Sequence, residues 1–265
     1  MNDPRKTAWV TLAGAGPGDP ELITLKLQQR LQAADVIITD RLVHPDIIWL
    51  HARNGIRVLM TGKQGYHEHS YTQEEVTAIL IDEALQGKRV LRLKGGDVAF
   101  FSNVLDELEA LEKNGIPFEI IPGITAASGA SAYTGIPLTA RGFAQGVRFI
   151  AYNPTQHYDT KTWNSLAETS DTLVVYMAGK TVLSFAAQLI LHGAPASRPA
   201  AVIEQASTAA QKIHLSSLAK VAVDFKELIF SSPSLVVIGD VLQLHGRFSW
   251  FNGDQEGSVF NELPE

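Results

Sequence analysis

The sequence predicts an α/β protein with a mainly parallel first sheet and a mixed second sheet. Three observations support this fold class. Short apolar runs alternate with helical patterns through the first half, an order that favours a parallel sheet with helices on its faces. Two glycines and a proline interrupt this rhythm between residues 134 and 145. An edge strand expected at residues 211–214 would make the second sheet mixed.

The predicted elements of the first half follow one another regularly. Short apolar runs predict strands at residues 9–13, 35–39, 58–61, 89–93 and 118–121. Apolar spacing and capping residues predict helices at residues 21–34, 47–51, 72–86, 103–114 and 124–132. One helix start is specific, because Thr72 followed by Glu75 is the pattern of a capping box.

The second half contains fewer clear patterns. Strands are predicted at residues 147–152, 172–177, 200–204 and 235–238, and a helix at residues 181–192. We therefore expect an N-terminal α/β domain over residues 1–138 and a C-terminal α/β domain over residues 139–250. The polar stretch 251–265 is interpreted as a loose tail.

Composition excludes several classes of function. The chain has 265 residues, 45% of them hydrophobic and 19% charged, which is typical of a globular protein that buries proper cores. A net charge of -6 argues against general nucleic-acid binding. Without cysteine there is no disulfide, thiolate zinc site or cysteine nucleophile. The short polar start resembles no signal peptide or membrane span, so we expect a cytoplasmic protein.

Three glycine-containing turns follow predicted buried strands, where a ligand can approach the backbone closely. They read Gly14-Ala15-Gly16-Pro17-Gly18-Asp19-Pro20, Arg92-Leu93-Lys94-Gly95-Gly96-Asp97 and Ile121-Pro122-Gly123-Ile124-Thr125-Ala126-Ala127-Ser128. The first is not a dinucleotide fingerprint, because Asp19 takes the place of the last glycine and Pro17 removes a backbone N–H. Each turn alone is also explained by tight turns or close packing. Asp97 could bind a ribose or an amine, or cap the next helix.

Together with four further segments, these turns resemble the tetrapyrrole methylase family, of the uroporphyrinogen-III C-methyltransferase type. The further segments are Thr39-Asp40-Arg41-Leu42-Val43, Gly62-Lys63, Gln73-Glu74-Glu75 and Gly135-Ile136-Pro137-Leu138-Thr139. The resemblance runs from about residue 10 to residue 239. It implies two α/β domains with S-adenosylmethionine in the cleft between them, usually in a homodimer. It also implies methylation of uroporphyrinogen III at C2 and C7, giving precorrin-2 through precorrin-1 for sirohaem or cobalamin biosynthesis.

The resemblance also implies the site residues. The cofactor-binding positions are Pro17, Gly95, Gly96, Asp97, Phe100, Thr125, Ala126, Met177, Ala206 and Gly239. Asp40 and Lys63 match the proton acceptor and donor, and Arg141 matches an arginine associated with substrate. A carboxylate such as Asp40 can take the proton that must leave the ring after methyl transfer, and cations must meet the eight carboxylates of the substrate. No metal is expected, since His67 and His69 without a third ligand make a poor site.

Several positions depart from the family pattern on the substrate side. Asn103 stands where the family has an arginine, and Asp106 where it has a glutamate. Ala140 replaces a histidine before Arg141, and residues 152–154 replace a glycine-histidine pair. Asn103 cannot clamp a carboxylate with a charged fork. Two alternatives therefore stay open: a methyltransferase for another tetrapyrrole or corrinoid precursor, and a non-catalytic protein that binds the cofactor.

Overall fold

The computed structural model describes residues 8–62 and 71–260, which form two compact units. The first unit runs to Ala126 and includes the segment from Val259, whereas the second unit is Ala127–Ser258. This division precedes the limit expected at residue 138. The glycine and proline that suggested a boundary there follow a helix of the second unit, Ala126–Thr134, and end it.

The first unit contains a five-stranded sheet in which every strand pair is parallel, as predicted. The strands lie in the order β3-β2-β4-β1-β5. They are β1 (Trp9–Gly14), β2 (Val36–Thr39), β3 (Arg57–Met60), β4 (Arg89–Lys94) and β5 (Phe118–Ile121). The helices between them are α1 (Leu25–Ala33), α2 (Pro45–His51), α3 (Gln73–Leu85) and α4 (Val104–Lys113), with a 3-10 turn at Pro20–Leu22.

The helices of the first unit cover both faces of its sheet. Val10 and Leu12 point to the face that α3 and α4 cover, whereas Ala13 and Ala15 point to the face that α1 and α2 cover. This alternation follows from the two-residue period of a strand. The capping box at Thr72 and Glu75 is confirmed, with both reciprocal hydrogen bonds present.

The second unit contains a mixed five-stranded sheet of order β6-β7-β10-β8-β9. The strands are β6 (Val147–Ala151), β7 (Thr172–Tyr176), β8 (Pro199–Glu204), β9 (Lys212–Ser217) and β10 (Ser234–Ile238). The helices are α5 (Ala126–Thr134), α6 (Thr160–Glu168), α7 (Val182–Leu191), α8 (Val221–Asp224) and α9 (His245–Phe248), with a 3-10 helix at Asp240–Leu244. The expected edge strand is confirmed as β9, which pairs antiparallel with β8.

Two features were absent from the sequence interpretation. Helix α6 is capped by Asp159, whose side chain accepts a hydrogen bond from the Thr162 N–H, and the helix buries Trp163 and Leu166. Its cap and its apolar spacing were signals that could have predicted it. In the stretch expected to be a tail, Phe260 is buried and its ring lies 6.0 Å from that of His44.

Glu119 on β5 joins three elements of the first unit. Its carboxylate pairs with Lys26 at 2.8 Å and with Arg30, both on α1, and accepts a hydrogen bond from Thr11 on β1. The hydrogen bond from Arg30 is the main cause that lowers the pKa of Glu119 from 4.5 to about 2. Because the folded chain holds the charged form, this contact stabilises the fold above pH 4.5.

We expect the Glu119→Gln substitution to lower the free energy of unfolding by about 2 kcal/mol near neutral pH, the usual size for a charge-assisted hydrogen bond. The difference from the unsubstituted protein should shrink as the pH falls from 4.5 towards 2, where the native carboxylate gains its proton. Urea unfolding at several pH values measures it. Glu112→Gln on the exposed side of α4 is the control. A pH-independent difference would contradict the assignment.

Candidate active site

The predicted site residues of the first unit lie where its parallel strands end. We call this side of the sheet the carboxyl edge. Pro17 lies after β1, and Asp40 directly follows β2. Gly95 directly follows β4, and Thr125 lies after β5. Ligands of open parallel sheets bind at this edge, since the loops that leave the strands converge there. The structure therefore brings together residues that are far apart in the sequence.

Three glycines let the turns after β1, β4 and β5 interlock. A Cβ added to Gly14 would lie 2.5 Å from the Gly96 oxygen and 2.7 Å from the Gly123 nitrogen. A Cβ on Gly123 would collide with the same Gly96 oxygen and lie 2.8 Å from the Gly14 oxygen. Gly16 and Gly96 also exchange two backbone hydrogen bonds, of 3.0 and 2.7 Å. Packing alone therefore requires glycine at positions 14 and 123.

Asp97 fastens two of these turns together. It is buried, its Oδ1 accepts a hydrogen bond from the Ala99 N–H at 2.7 Å, and its Oδ2 accepts one from the Gly123 N–H at 2.7 Å. Both carboxylate oxygens thus bind backbone. Asp97 closes a local turn, rather than capping α4, and holds the β4 and β5 turns in register. A role in ribose binding would be additional to this one.

Gly95 and Gly96 serve different geometric needs. A Cβ on Gly95 would lie 2.6 Å from the Leu42 oxygen, so glycine lets the turn after β2 sit against the end of β4. Gly96 has a φ of 68°, in the region that favours glycine. A Cβ there would lie 3.4 Å from the Ala126 nitrogen, an ordinary van der Waals contact, so the backbone conformation rather than a clash favours glycine at this position. Gly96, Thr125 and Ala126 are all half-buried.

Asp40 lies at the end of a buried cluster of charges. Its Oδ1 accepts a hydrogen bond from the Leu42 N–H at 2.9 Å, and its Oδ2 lies 3.7 Å from Arg92 Nη2. The other side of Arg92 contacts Glu107, with Nε 3.0 Å from Oε1. Glu107 also pairs with Lys94, whose Nζ lies 3.0 Å from Oε2. We call Asp40, Arg92, Lys94 and Glu107 the charge cluster.

The charge cluster contains two acids and two bases, of which only Asp40 is substantially accessible. The side chain of Asp40 is 28% exposed, against 5% for Arg92 and Lys94 and 0% for Glu107. Burial lowers the pKa of Lys94, and the neighbouring positive charge of Arg92 adds to this effect. Sequence reasoning did not find the cluster. The signal was a pair of basic residues at alternate positions inside an otherwise apolar strand, Arg92 and Lys94.

Of the other two predicted catalytic residues, Lys63 and Arg141, the structure describes only Arg141. Lys63 lies outside the described residues, as do His67 and His69. Arg141 belongs to the second unit and is exposed, in a turn where Ala140 and Ala144 pair.

Asn103 takes a left-handed conformation with a φ of 52° and precedes α4 without a side-chain capping bond. Phe100 is half-buried, and its backbone N–H donates to the backbone carbonyl oxygen of Asp97 at 3.3 Å.

The predicted residues of the second unit fall at two edges of its sheet. β7 and β8 both pair antiparallel with β10, so they run in the same direction and end at the same edge. Met177 and Ala206 follow these two strands. Met177 is 66% exposed and has a φ of 59°, a costly conformation for a residue with a side chain. Gly239 follows β10 and adjoins Thr172 at the start of β7, so it lies at the opposite edge.

The parts of the chain that the structure describes contain neither a candidate metal site nor a candidate membrane-spanning helix. Residues 8–62 and 71–260 contain no group of three or more histidine or acidic side chains that could hold a metal ion. Within the same ranges, no helix is long and apolar enough to cross a membrane.

Comparison with known proteins identifies the family. The sequence model described as Tetrapyrrole (Corrin/Porphyrin) Methylases matches residues 10–222. The chain belongs to this family. Curated relatives include a siroheme synthase of Pseudomonas putida, 42% identical over 247 residues, and siroheme synthase 2 of Aeromonas hydrophila, 44% identical over 250 residues. These matches cover 93% and 94% of this chain but only 53% and 52% of the relatives. The chain thus spans about half the length of these relatives.

Solved structures of the family share the fold along nearly the whole chain. A uroporphyrin-III C-methyltransferase from Thermus thermophilus is 31% identical, with a TM-score of 0.76, and the match covers 93% of this chain and 98% of that one. A structure of the Thermus enzyme complexed with S-adenosylhomocysteine, 31% identical, has a TM-score of 0.74 and coverages of 89% and 93%. A cobalt precorrin-4 methyltransferase, 25% identical, has a TM-score of 0.78 and coverages of 90% and 97%.

The interlocked turns predict a steric result. We expect Gly123→Ala to lower the free energy of unfolding by about 1–3 kcal/mol, because the new Cβ meets backbone atoms that no rotamer change can move. Gly246→Ala is the matched control, since a Cβ there has open space around it. Thermal and urea unfolding of both variants measure the effect. Equal stability of the two variants would show that the turns separate easily.

Proposed function

We propose that this chain transfers methyl groups from S-adenosylmethionine to carbons C2 and C7 of uroporphyrinogen III. The products are precorrin-2, by way of precorrin-1, and S-adenosylhomocysteine. The observation that carries the proposal is the meeting of the β1, β4 and β5 turns with Asp40 at one carboxyl edge. Supporting it are the tetrapyrrole methylase family and the names of the relatives, siroheme synthase and uroporphyrin-III C-methyltransferase.

The carboxyl edge fits a cofactor that is held mainly by backbone groups. Gly96 presents no side chain beside the Ala126 nitrogen, so a ligand can approach the backbone there. Thr125 and Ala126 are small and half-buried, and Pro17 lies in the adjoining turn. We assign these residues, with Gly95, Asp97 and Phe100, to the cofactor. Met177, Ala206 and Gly239 are the residues of the second unit that we assign to it, and Gly239 lies at the opposite edge of the sheet from the other two.

The side chain of Asp97 holds the turns that carry these contacts in place. Asp97 binds the backbone of two turns, so its contribution to cofactor affinity would come through their shape. S-adenosylmethionine supplies an electrophilic methyl group on a sulfonium, and the protein supplies orientation and electrostatics. A rigid binding edge lowers the entropic cost of holding both reactants in line.

Asp40 is the residue we assign to the proton that leaves the methylated ring. Its Oδ1 is held by the Leu42 N–H, so the carboxylate has a fixed direction, and more than a quarter of the side chain is reachable. We assign Lys63 as the proton donor and Arg141 as the cation that binds a carboxylate of the substrate. We place the enzyme in the cytoplasm as a homodimer with a small-molecule tetrapyrrole substrate, and expect neither nucleic acid nor membrane as a partner.

The direct test is an anaerobic assay of the purified chain with S-adenosylmethionine and freshly reduced uroporphyrinogen III, in which products are identified by mass. We expect two methyl groups to be added. Failure to add any, with S-adenosylhomocysteine still bound in calorimetry, would contradict the uroporphyrinogen assignment. It would favour another tetrapyrrole substrate or a non-catalytic cofactor binder, an alternative motivated by Asn103.

Asp40→Asn should lower kcat by about 100-fold, the lower end of what a general base contributes. The asparagine oxygen can still accept the Leu42 N–H, so the turn and the affinity for S-adenosylhomocysteine should be kept. Asp82→Asn, on the exposed side of α3, removes the same charge and should leave kcat unchanged. An Asp40 variant with full activity would remove this residue from the mechanism.

A further inference from the structure

Arg92 is held rigidly on three sides inside the first unit. Its Nε donates to Glu107 Oε1 at 3.0 Å, and its Nη1 donates to the Leu93 oxygen at 2.9 Å and the Ile38 oxygen at 3.5 Å. A guanidinium is planar, so fixing Nε and Nη1 also fixes the direction of Nη2. Nη2 is the nitrogen that faces Asp40.

Glu107 is an unusual residue to find at full burial. A buried carboxylate costs several kcal/mol of lost hydration unless it is paired, and pairing often does no more than offset that cost. Here the side chain has no exposure and engages two cations, Arg92 and Lys94. Lys94 also donates a hydrogen bond from its Nζ to the backbone carbonyl oxygen of Ser102, at 2.6 Å. Stability alone gives little reason for this arrangement, because apolar residues of similar size would pack as well.

The need to orient the carboxylate of Asp40 gives a reason for burying these charges beside it. The carboxylate of Asp40 has one oxygen fixed by the Leu42 N–H, and the other oxygen faces Arg92. We propose that Glu107 and Arg92 are positioning residues that aim the Asp40 carboxylate, with Glu107 acting by fixing the Arg92 guanidinium. The kinetic part of this proposal rests on the proposed function, whereas the structural part does not.

Two variants distinguish the role of the Glu107 oxygen as a hydrogen-bond acceptor from the role of its charge. In a Lys94→Met background, Glu107→Gln keeps an oxygen that can accept from Arg92 Nε, whereas Glu107→Leu has no acceptor. The two double variants have the same net charge and side chains of similar size, and neither leaves Lys94 buried without its carboxylate. They therefore differ mainly in the hydrogen bond to Arg92. Removing both members of the Lys94–Glu107 pair leaves neither of these two charges buried alone, and Arg92 still faces the carboxylate of Asp40 in both variants.

We expect the Leu variant to have a kcat about 100-fold below that of the Gln variant, the loss expected when a catalytic group is misplaced by about 1 Å. The KM for S-adenosylmethionine should agree within about twofold, because the cofactor contacts are untouched. Crystal structures should show Arg92 Nη2 near 3.7 Å from Asp40 Oδ2 in the Gln variant and displaced in the Leu variant. Equal kcat and equal positions of Asp40 in both variants would overturn the proposal.

Two further outcomes are separated by the same set of proteins. If the unsubstituted chain adds no methyl group to uroporphyrinogen III, the proposed function fails, and the two crystal structures still decide whether Glu107 fixes Arg92 and Asp40. If the Leu variant does not fold, Arg92→Lys replaces it, since lysine keeps the charge but loses the planar fork. That variant should show the same loss of kcat, and a kcat like that of the unsubstituted chain would also overturn the proposal.

Discussion

The close approach of three backbone turns at Gly14, Gly96 and Gly123 is the constraint on which the candidate site depends. No side chain fits between these turns, and Asp97 joins two of them through the backbone N–H groups of Ala99 and Gly123. The sheet supplies the frame, because parallel strands deliver their loops to one edge. Glycine at positions 14 and 123 is thus a packing requirement first, and the shape that results is what a ligand would meet.

The charge cluster adds an electrostatic constraint to this geometric one. It extends from fully buried Glu107 through Arg92 to the partly exposed Asp40, and its two acids balance its two bases. A balanced cluster can stay buried without the cost of an uncompensated charge. Its most exposed member is the Asp40 carboxylate at the carboxyl edge, so we propose that the interior charges act on the reaction through Asp40.

Much of the fold could be predicted from sequence because it depends on local periodicity. Short apolar runs predict the parallel strands of the first unit, and a threonine three residues before a glutamate predicts the capping box at Thr72. Edge strand β9 is likewise predicted from a short stretch of sequence. The Glu107 pairing could not be predicted, because it depends on which helix face meets β4. The roles of Asp97 and Gly95 were hidden for the same reason, since their partners Gly123 and Leu42 are distant in sequence.

Hydrogen exchange of the purified chain, measured with and without S-adenosylhomocysteine, shows whether the interlocked turns hold the cofactor. We expect S-adenosylhomocysteine to slow exchange in the turns after β1, β4 and β5 and at the first turn of α5. Exchange in helix α6, which carries none of the proposed cofactor-binding residues, should stay the same. Protection elsewhere, with those turns unaffected, would contradict the claim that the interlocked glycine turns hold the cofactor.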